Sequence, residues 1–185
     1  TEKRSKMFWR RCIPLPLLLA LTGCFSIPKN VQLEKFFQDF IGTSLALDPV
    51  GATEAGFHKY QEVTLDGVLN DYSERGVRGL RVFFNSMHSD ATGLDSTKLD
   101  VETRADLDLI EKFCEMQLLE LDKIQSYKHN PAMYVELIGR AINGPFTLSY
   151  APENERFRNI ISRLNHIPEF LTNARANLTD SPKIW

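Results

Sequence analysis

The chain has 185 residues, 43% of them hydrophobic, with 22 Lys+Arg against 24 Asp+Glu and a formal net charge of −2. That content supports a core and excludes general disorder, and the length suits about one domain. The near-neutral balance lacks the basic face of a nucleic-acid binder, so no nucleic-acid partner is expected.

The charge is unevenly placed. Residues 1–23 carry Lys3, Arg4, Lys6, Arg10 and Arg11 against the single acid Glu2, so residues 24–185 are the acidic part. After Arg11 comes an apolar run from Cys12 to Leu21, then the small residues Thr22 and Gly23. This is the order of an export signal: basic, apolar, small. The run is about half the roughly 20 apolar residues that cross a bilayer, and Pro14 and Pro16 disfavour a long helix there. Met7 is a candidate start, which would leave residues 1–6 upstream of it.

Leu21-Thr22-Gly23-Cys24 resembles the bacterial lipobox, in which the cysteine becomes the lipidated first residue of the mature protein. The resemblance implies a signal over residues 1–23, lipidation at Cys24 and a membrane partner held through that anchor. The expected localisation is exported and lipid-anchored in the bacterial envelope. Phe25 rather than Asp follows the cysteine, which makes the outer membrane the default. Cys12 would leave with the signal and Cys24 would be acylated. Cys114 then remains without a disulfide partner, as a buried thiol on a helix.

Residues 24–32 read as a tether, and helical periods follow. Leu33–Leu47 carries Leu33, Phe36, Phe37, Phe40 and Ile41 on one stripe. Pro49 opens a short turn that Gly56 stops. Residues 57–72 read as an irregular loop. Ser73 caps a helix to about Met87 with Val77, Leu80, Phe84 and Met87 inward, and residues 88–100 form a polar connector. Asp100 caps a long helix to about Tyr127, striped by Leu107, Ile110, Cys114, Leu118, Leu121 and Ile124. Asn130-Pro131 starts a helix that Gly144-Pro145 is expected to stop. Pro152 opens a helix to Asn165 with Phe157, Ile160, Ile161 and Leu164 inward, and Pro168 opens a last one to Leu178. The expected fold class is all-α, a bundle-like set of six or seven helices over residues 33–185.

Chemistry is sparse along this pattern. His58, His88, His129 and His166 stand at no metal-binding spacing, and the sequence contains no HExxH, no phosphate loop and no nucleophile elbow. No catalytic residue, no metal ligand and no cofactor is therefore assigned. The densest polar group is Glu54, His58, Tyr60, Asp66 and Asp71, in and beside the irregular loop. Such residues serve turns and caps, or they line a cleft. His58, Tyr60 and Asp66 are the candidates for cleft lining.

Several blocks carry a further resemblance: ALDPVGATEAGFHKY (46–60), LNDYSERGVRGL (69–80), HNPAMYVELIG (129–139), YAPENERFRNIISRLNHIPEFLTNARANL (150–178) and the terminal SPKIW. Together, and in this order, they resemble the N-terminal part of the bacterial domain-of-unknown-function 885 family. The family is similar to gluzincin-type zinc metallopeptidases, with an HExxH helix well downstream of this region. The resemblance implies the N-terminal portion of a larger, mostly helical, truncated domain. The parent protein would be a zinc-dependent peptidase or hydrolase, with zinc and a peptide substrate served by the missing downstream part and this chain inactive alone. No family site residue falls within the 185 positions. The alternative is a complete, non-catalytic helical envelope lipoprotein that binds a partner or peptide.

Overall fold

A computed structural model describes residues 29–180. The expected export signal, Cys24, the first part of the expected tether and the terminal SPKIW lie outside them. Among the described residues the fold is all-α apart from one minimal hairpin.

Helix α1 runs Lys29–Leu47 and takes in the second half of the expected tether. Phe40 is buried from its stripe, whereas Ile41 faces solvent. Asp48 then caps α2, Pro49–Glu54, by accepting the Gly51 N–H at 3.1 Å. Pro49 occupies the first turn, where its missing N–H costs nothing. Gly56 ends the turn in the left-handed region at φ +76°. The expected irregular loop holds a two-residue antiparallel ladder, β1 Lys59–Tyr60 and β2 Val63–Thr64, with Lys59 opposite Thr64. The hairpin sits tightly on α1. A Cβ at Gly42 would lie 2.3 Å from the Tyr60 ring, so only glycine admits that approach.

Helix α3, Glu74–Gly93, starts where expected, with the Ser73 hydroxyl accepting the Gly76 N–H. It runs past Met87 into the segment read as a connector. The reason is legible afterwards: Ala91 is buried and continues the Val77, Leu80, Phe84, Met87 stripe at helical spacing. A 3₁₀ turn, Ser96–Lys98, leads to Asp100, whose carboxylate accepts the Thr103 N–H at 2.9 Å and caps α4, Val101–Leu119. Helix α4 lies along α3 and buries Leu107, Ile110 and Cys114.

The long helix does not continue regularly to Tyr127. Glu120–Ile124 form a π-turn, and Gln125 closes it at φ +56°. The Gln125 N–H reaches the Glu120 carbonyl, and the Glu120 carboxylate accepts the Ser126 N–H at 2.9 Å. Arg81 of α3 holds the turn from outside by donating to the Leu121 carbonyl, the Asp122 carboxylate and the Tyr127 hydroxyl. The widened turn exposes Ile124, expected inward, and buries Tyr127 on α5, Ser126–His129.

Two prolines expected to bound helices lie inside them instead. Helix α6 runs Pro131–Thr147 through Pro145, and α7 runs Glu153–Asn177 through Pro168 as one element. A proline inside a helix removes one N–H and leaves the carbonyl four residues earlier without its partner. For Pro168 that carbonyl is on Leu164, which faces solvent. For Pro145 it is on Ala141, which is buried.

The face of α7 also differs from expectation. Ile160, Arg163, Phe170 and Ala174 point inward. Phe157 is 44% exposed, Ile161 57% and Leu164 47%, so three of the four residues expected in the core lie outside it. Helix α7 carries two stripes, and the one holding an arginine is the buried one.

One contiguous core joins these elements. Phe40, Phe83, Phe84 and Phe113 interlock with ring centroids 5.1–6.3 Å apart and tie α1 to α3 and α4. Tyr72, Tyr134 and Phe170 form a second set at 5.6–6.3 Å, joining the loop before α3 to α6 and α7. Edge-on aromatic pairs of this kind contribute about 0.5–1.5 kcal/mol each beyond area burial.

Candidate functional site

The site is built outward from Arg163, whose side chain is fully buried at 0% exposure. Its Nη1 donates to the Ala141 carbonyl at 2.8 Å, the acceptor that Pro145 leaves without a helical partner. Nη2 donates to the Thr53 hydroxyl at 2.7 Å and the Pro49 carbonyl at 3.2 Å, and Nε to the Val68 carbonyl at 3.1 Å. One guanidinium thus ties α2, α6 and the loop after β2 to α7. Burial pulls its pKa below the usual arginine range, and the charges of Asp66 and Glu54 and the nearby Tyr150 oppose that.

Asp66, buried and acidic, completes this interior. It accepts from the Thr53 hydroxyl at 2.8 Å and contacts His58 Nδ1 at 2.9 Å. The His58 ring stacks on Tyr150 at 4.5 Å, and the Tyr150 hydroxyl accepts from Asn159 at 3.1 Å. Two of the three sequence candidates, His58 and Asp66, therefore meet. Tyr60 does not join them: its hydroxyl bonds Thr43 at 3.1 Å and its ring covers Gly42. Glu54 pairs with Arg140, and Asp71 caps the Ser73 N–H.

A separate cleft of about 510 Å³ is bounded by the end of α1, residues 70–72, α3, α4, the π-turn and α6. Its walls follow from the local folding just described. Asn70 bridges by accepting the Val50 N–H and donating to Asp48 Oδ1 at 2.7 Å. Arg140 of α6 forks onto Glu54, holding that carboxyl below its usual range. Glu120 is presented by the π-turn. Tyr72 contributes a hydroxyl that burial, with the charges of Asp48 and Glu120, pushes up to about 12. His58, Tyr60 and Asp66 are not among the residues lining this cleft.

Asp48, Asn70, Tyr72, Glu120, Arg140 and Arg163 escape a reading based on motifs, because they are spread over five separate parts of the chain. The available signal was an arginine amid Ile160, Ile161 and Leu164, opposite a proline inside an apolar helix.

One cluster elsewhere has metal-ligand composition. His88 of α3 and Glu111 and Glu115 of α4 bring one ligand atom each within 4.8 Å of one another. The Lys112 ammonium lies 2.9 Å from Glu115 and 3.5 Å from Glu111, so a cation of the chain itself already neutralises these carboxylates.

The family described as bacterial proteins of unknown function (DUF885) matches residues 49–183. The chain belongs to this family. A solved structure from Shewanella oneidensis, described as a candidate lipoprotein of unknown function, superposes on this DUF885 chain with a TM-score of 0.70 at 21% identity. The superposition covers 80% of this chain and 26% of that one, so the DUF885 segment described here spans about a quarter of its neighbour. At that identity the likeness concerns the fold. No protein of curated function matches the chain. Among the described residues, no helix is long and apolar enough to cross a membrane.

Proposed function

We propose that this chain is the N-terminal helical part of an exported, lipid-anchored envelope protein whose whole is a zinc-dependent peptidase or hydrolase. One observation carries the placement within a larger protein, while the zinc-dependent activity rests on the family resemblance of the sequence alone. Helix α7 presents Phe157, Ile161, Leu164 and Leu171 to solvent at 44–57% exposure, at heptad spacing, on a segment that matches a quarter of a longer neighbour. A continuous apolar stripe on a long helix is a packing surface, and further helices of the same protein are the proposed cover. The lipid anchor rests on the lipobox at Cys24, and the neighbour's description as a lipoprotein agrees with it.

The residues of this chain do not fit a catalytic zinc. The sequence has no HExxH, and the His88–Glu111–Glu115 cluster is engaged by Lys112. The role proposed for these residues is therefore a wall of the substrate cleft, while metal chemistry belongs to a downstream part. The test is peptide hydrolysis by membranes carrying the product of the intact gene. The expected result is cleavage that a chelator abolishes and zinc restores, with none from the 185-residue chain and none after Cys24→Ala releases the protein from the membrane fraction. Chelator-insensitive cleavage, or none by the intact gene product, contradicts the reading.

A second reading, a self-standing non-catalytic lipoprotein that binds a partner or peptide, is supported by the single contiguous core and by the cleft.

A further inference from the structure

The exposed stripe of α7 is not uniformly apolar, and its one polar defect constrains what can cover it. Pro168 follows Leu164 by four residues and precedes Leu171 by three, so its ring stands on the same stripe. It deprives the Leu164 carbonyl of its helical donor. Helix carbonyls point toward the C-terminus, so the freed oxygen lies beside the Pro168 ring, on the stripe. The polar side chains nearby are spent on other acceptors. His166 Nδ1 bonds the Ser162 carbonyl at 2.8 Å, and the Thr172 hydroxyl donates to the Pro168 carbonyl at 2.9 Å.

The same chain shows how such a carbonyl is handled once it is covered. Pro145 frees the Ala141 carbonyl in the same way, and Arg163, on the helix packed against it, donates to that oxygen at 2.8 Å. The two cases differ in cover, for Ala141 is 0% exposed and Leu164 47%. Solvent can supply the donor for Leu164 only while the stripe is open. An element laid over Phe157, Ile161, Leu164 and Leu171 expels that solvent and buries an acceptor, which weakens the packing unless the element brings a donor.

The extent of the face sets the kind of element. Phe157 to Leu171 span about 21 Å of helix. Phe146, 63% exposed at the end of α6, shares a hollow of about 180 Å³ with Phe157 and Ile160 and widens the face at that end. A length of several turns suits a helix. The donor with the closest precedent is arginine, whose guanidinium offers five N–H groups and is weakly hydrated, so it can be buried among carbonyls as Arg163 is.

We propose that α7 is covered in the intact protein by a helix from downstream of residue 185 that sets an arginine on the Leu164 carbonyl. This rests on the reading of the chain as about a quarter of a longer protein, and it names what the covering helix carries.

The test uses the product of the intact gene, with the photoreactive residue benzoylphenylalanine at Leu164 or, in a second protein, at Ile161. Both positions are exposed in this chain, so either tolerates the probe, and the second serves if the first fails to fold. Irradiation and mass spectrometry are expected to find a cross-link within the same chain, to a downstream segment with an arginine no more than one helical turn from the attachment. Replacing that arginine by Met should speed protease cleavage of α7 several-fold. Pro168→Ala, which gives the Leu164 carbonyl its own helical N–H, should reverse most of that effect. A cross-link to a downstream segment without such an arginine, or no rescue by Pro168→Ala, overturns the proposal and leaves the larger-protein reading standing. A cross-link only to a second copy or to another protein, or none at either position, overturns both. Neither readout requires peptidase activity, so absence of zinc-dependent cleavage removes the proposed activity without touching this inference.

Discussion

Arg163 and Pro145 act as a pair. The proline strips the Ala141 carbonyl of its helical donor, and the arginine supplies one from another helix. Replacing Arg163 by Met leaves four acceptors without this donor, and the expected loss of stability is about 3–5 kcal/mol. Pro145→Ala restores the intrahelical bond to Ala141, so the same Arg163 replacement should cost less by about 1 kcal/mol in that background. Urea melts of the four proteins of this cycle measure the coupling, and strict additivity would contradict it. Alkaline pH reads two other buried groups. Burial raises the Cys114 thiol to about 11 and the Tyr72 hydroxyl to about 12, from ordinary values of 9.0 and 10.0. Between those values the unfolded chain has released protons that the folded chain keeps, so stability falls as pH rises from about 9 toward 12. The Tyr72 share is roughly 2–3 kcal/mol, and Tyr72→Phe should remove it from the decline above pH 10. A flat stability profile across that range, or one that Tyr72→Phe leaves unchanged, would contradict the burial of these groups. Neither Arg163 nor Tyr72 stood out in the sequence, because their partners lie on carbonyls and rings far along the chain.

Helix starts were legible because the cap is a local device. Ser73, Asp100 and Asn130 each accept an N–H two or three residues ahead, and the side chain and its target are close in sequence. Helix ends were less so. Pro145 read as a stop and Pro168 as a new start, yet both lie inside helices: the first is relieved by Arg163 and the second leaves its unpaired carbonyl on a solvent-facing residue. Arg156 also donates to the carbonyls of Pro145 and Phe146 and so holds the final turn of α6. Nothing in the spacing of apolar residues announced the π-turn, because its cause is a carboxylate capture at Ser126 and a clasp by Arg81 from another helix. The turn ends at Gln125 in a conformation that disfavours residues with a Cβ. Gln125→Gly should therefore stabilise the protein by up to about 1 kcal/mol in thermal or urea melts. A clear loss would mean that the Gln125 side chain, which accepts from Lys128, outweighs the backbone strain.

At the scale of the molecule, hydrophobic periodicity revealed an all-α chain but not which side of α7 is inside. Ile160 was placed correctly and Phe157, Ile161 and Leu164 were not, since pattern alone treats every apolar stripe as core. Hydrogen-bond demand from Ala141, Pro49 and Val68 turns the Arg163 side inward, and the more apolar stripe is left for another partner. The polar loop residues were similarly divided: His58 and Asp66 meet beside Arg163, while Tyr60 braces the hairpin on α1. The central claim is that the exposed stripe of α7 is covered by more of the same protein, which carries the zinc site. The nucleotide sequence following the codon for Trp185 in the source genome tests it most directly. The account predicts an open frame that continues through further amphipathic helices and an HExxH motif. A stop codon immediately after Trp185, with a transcript ending there, would contradict it.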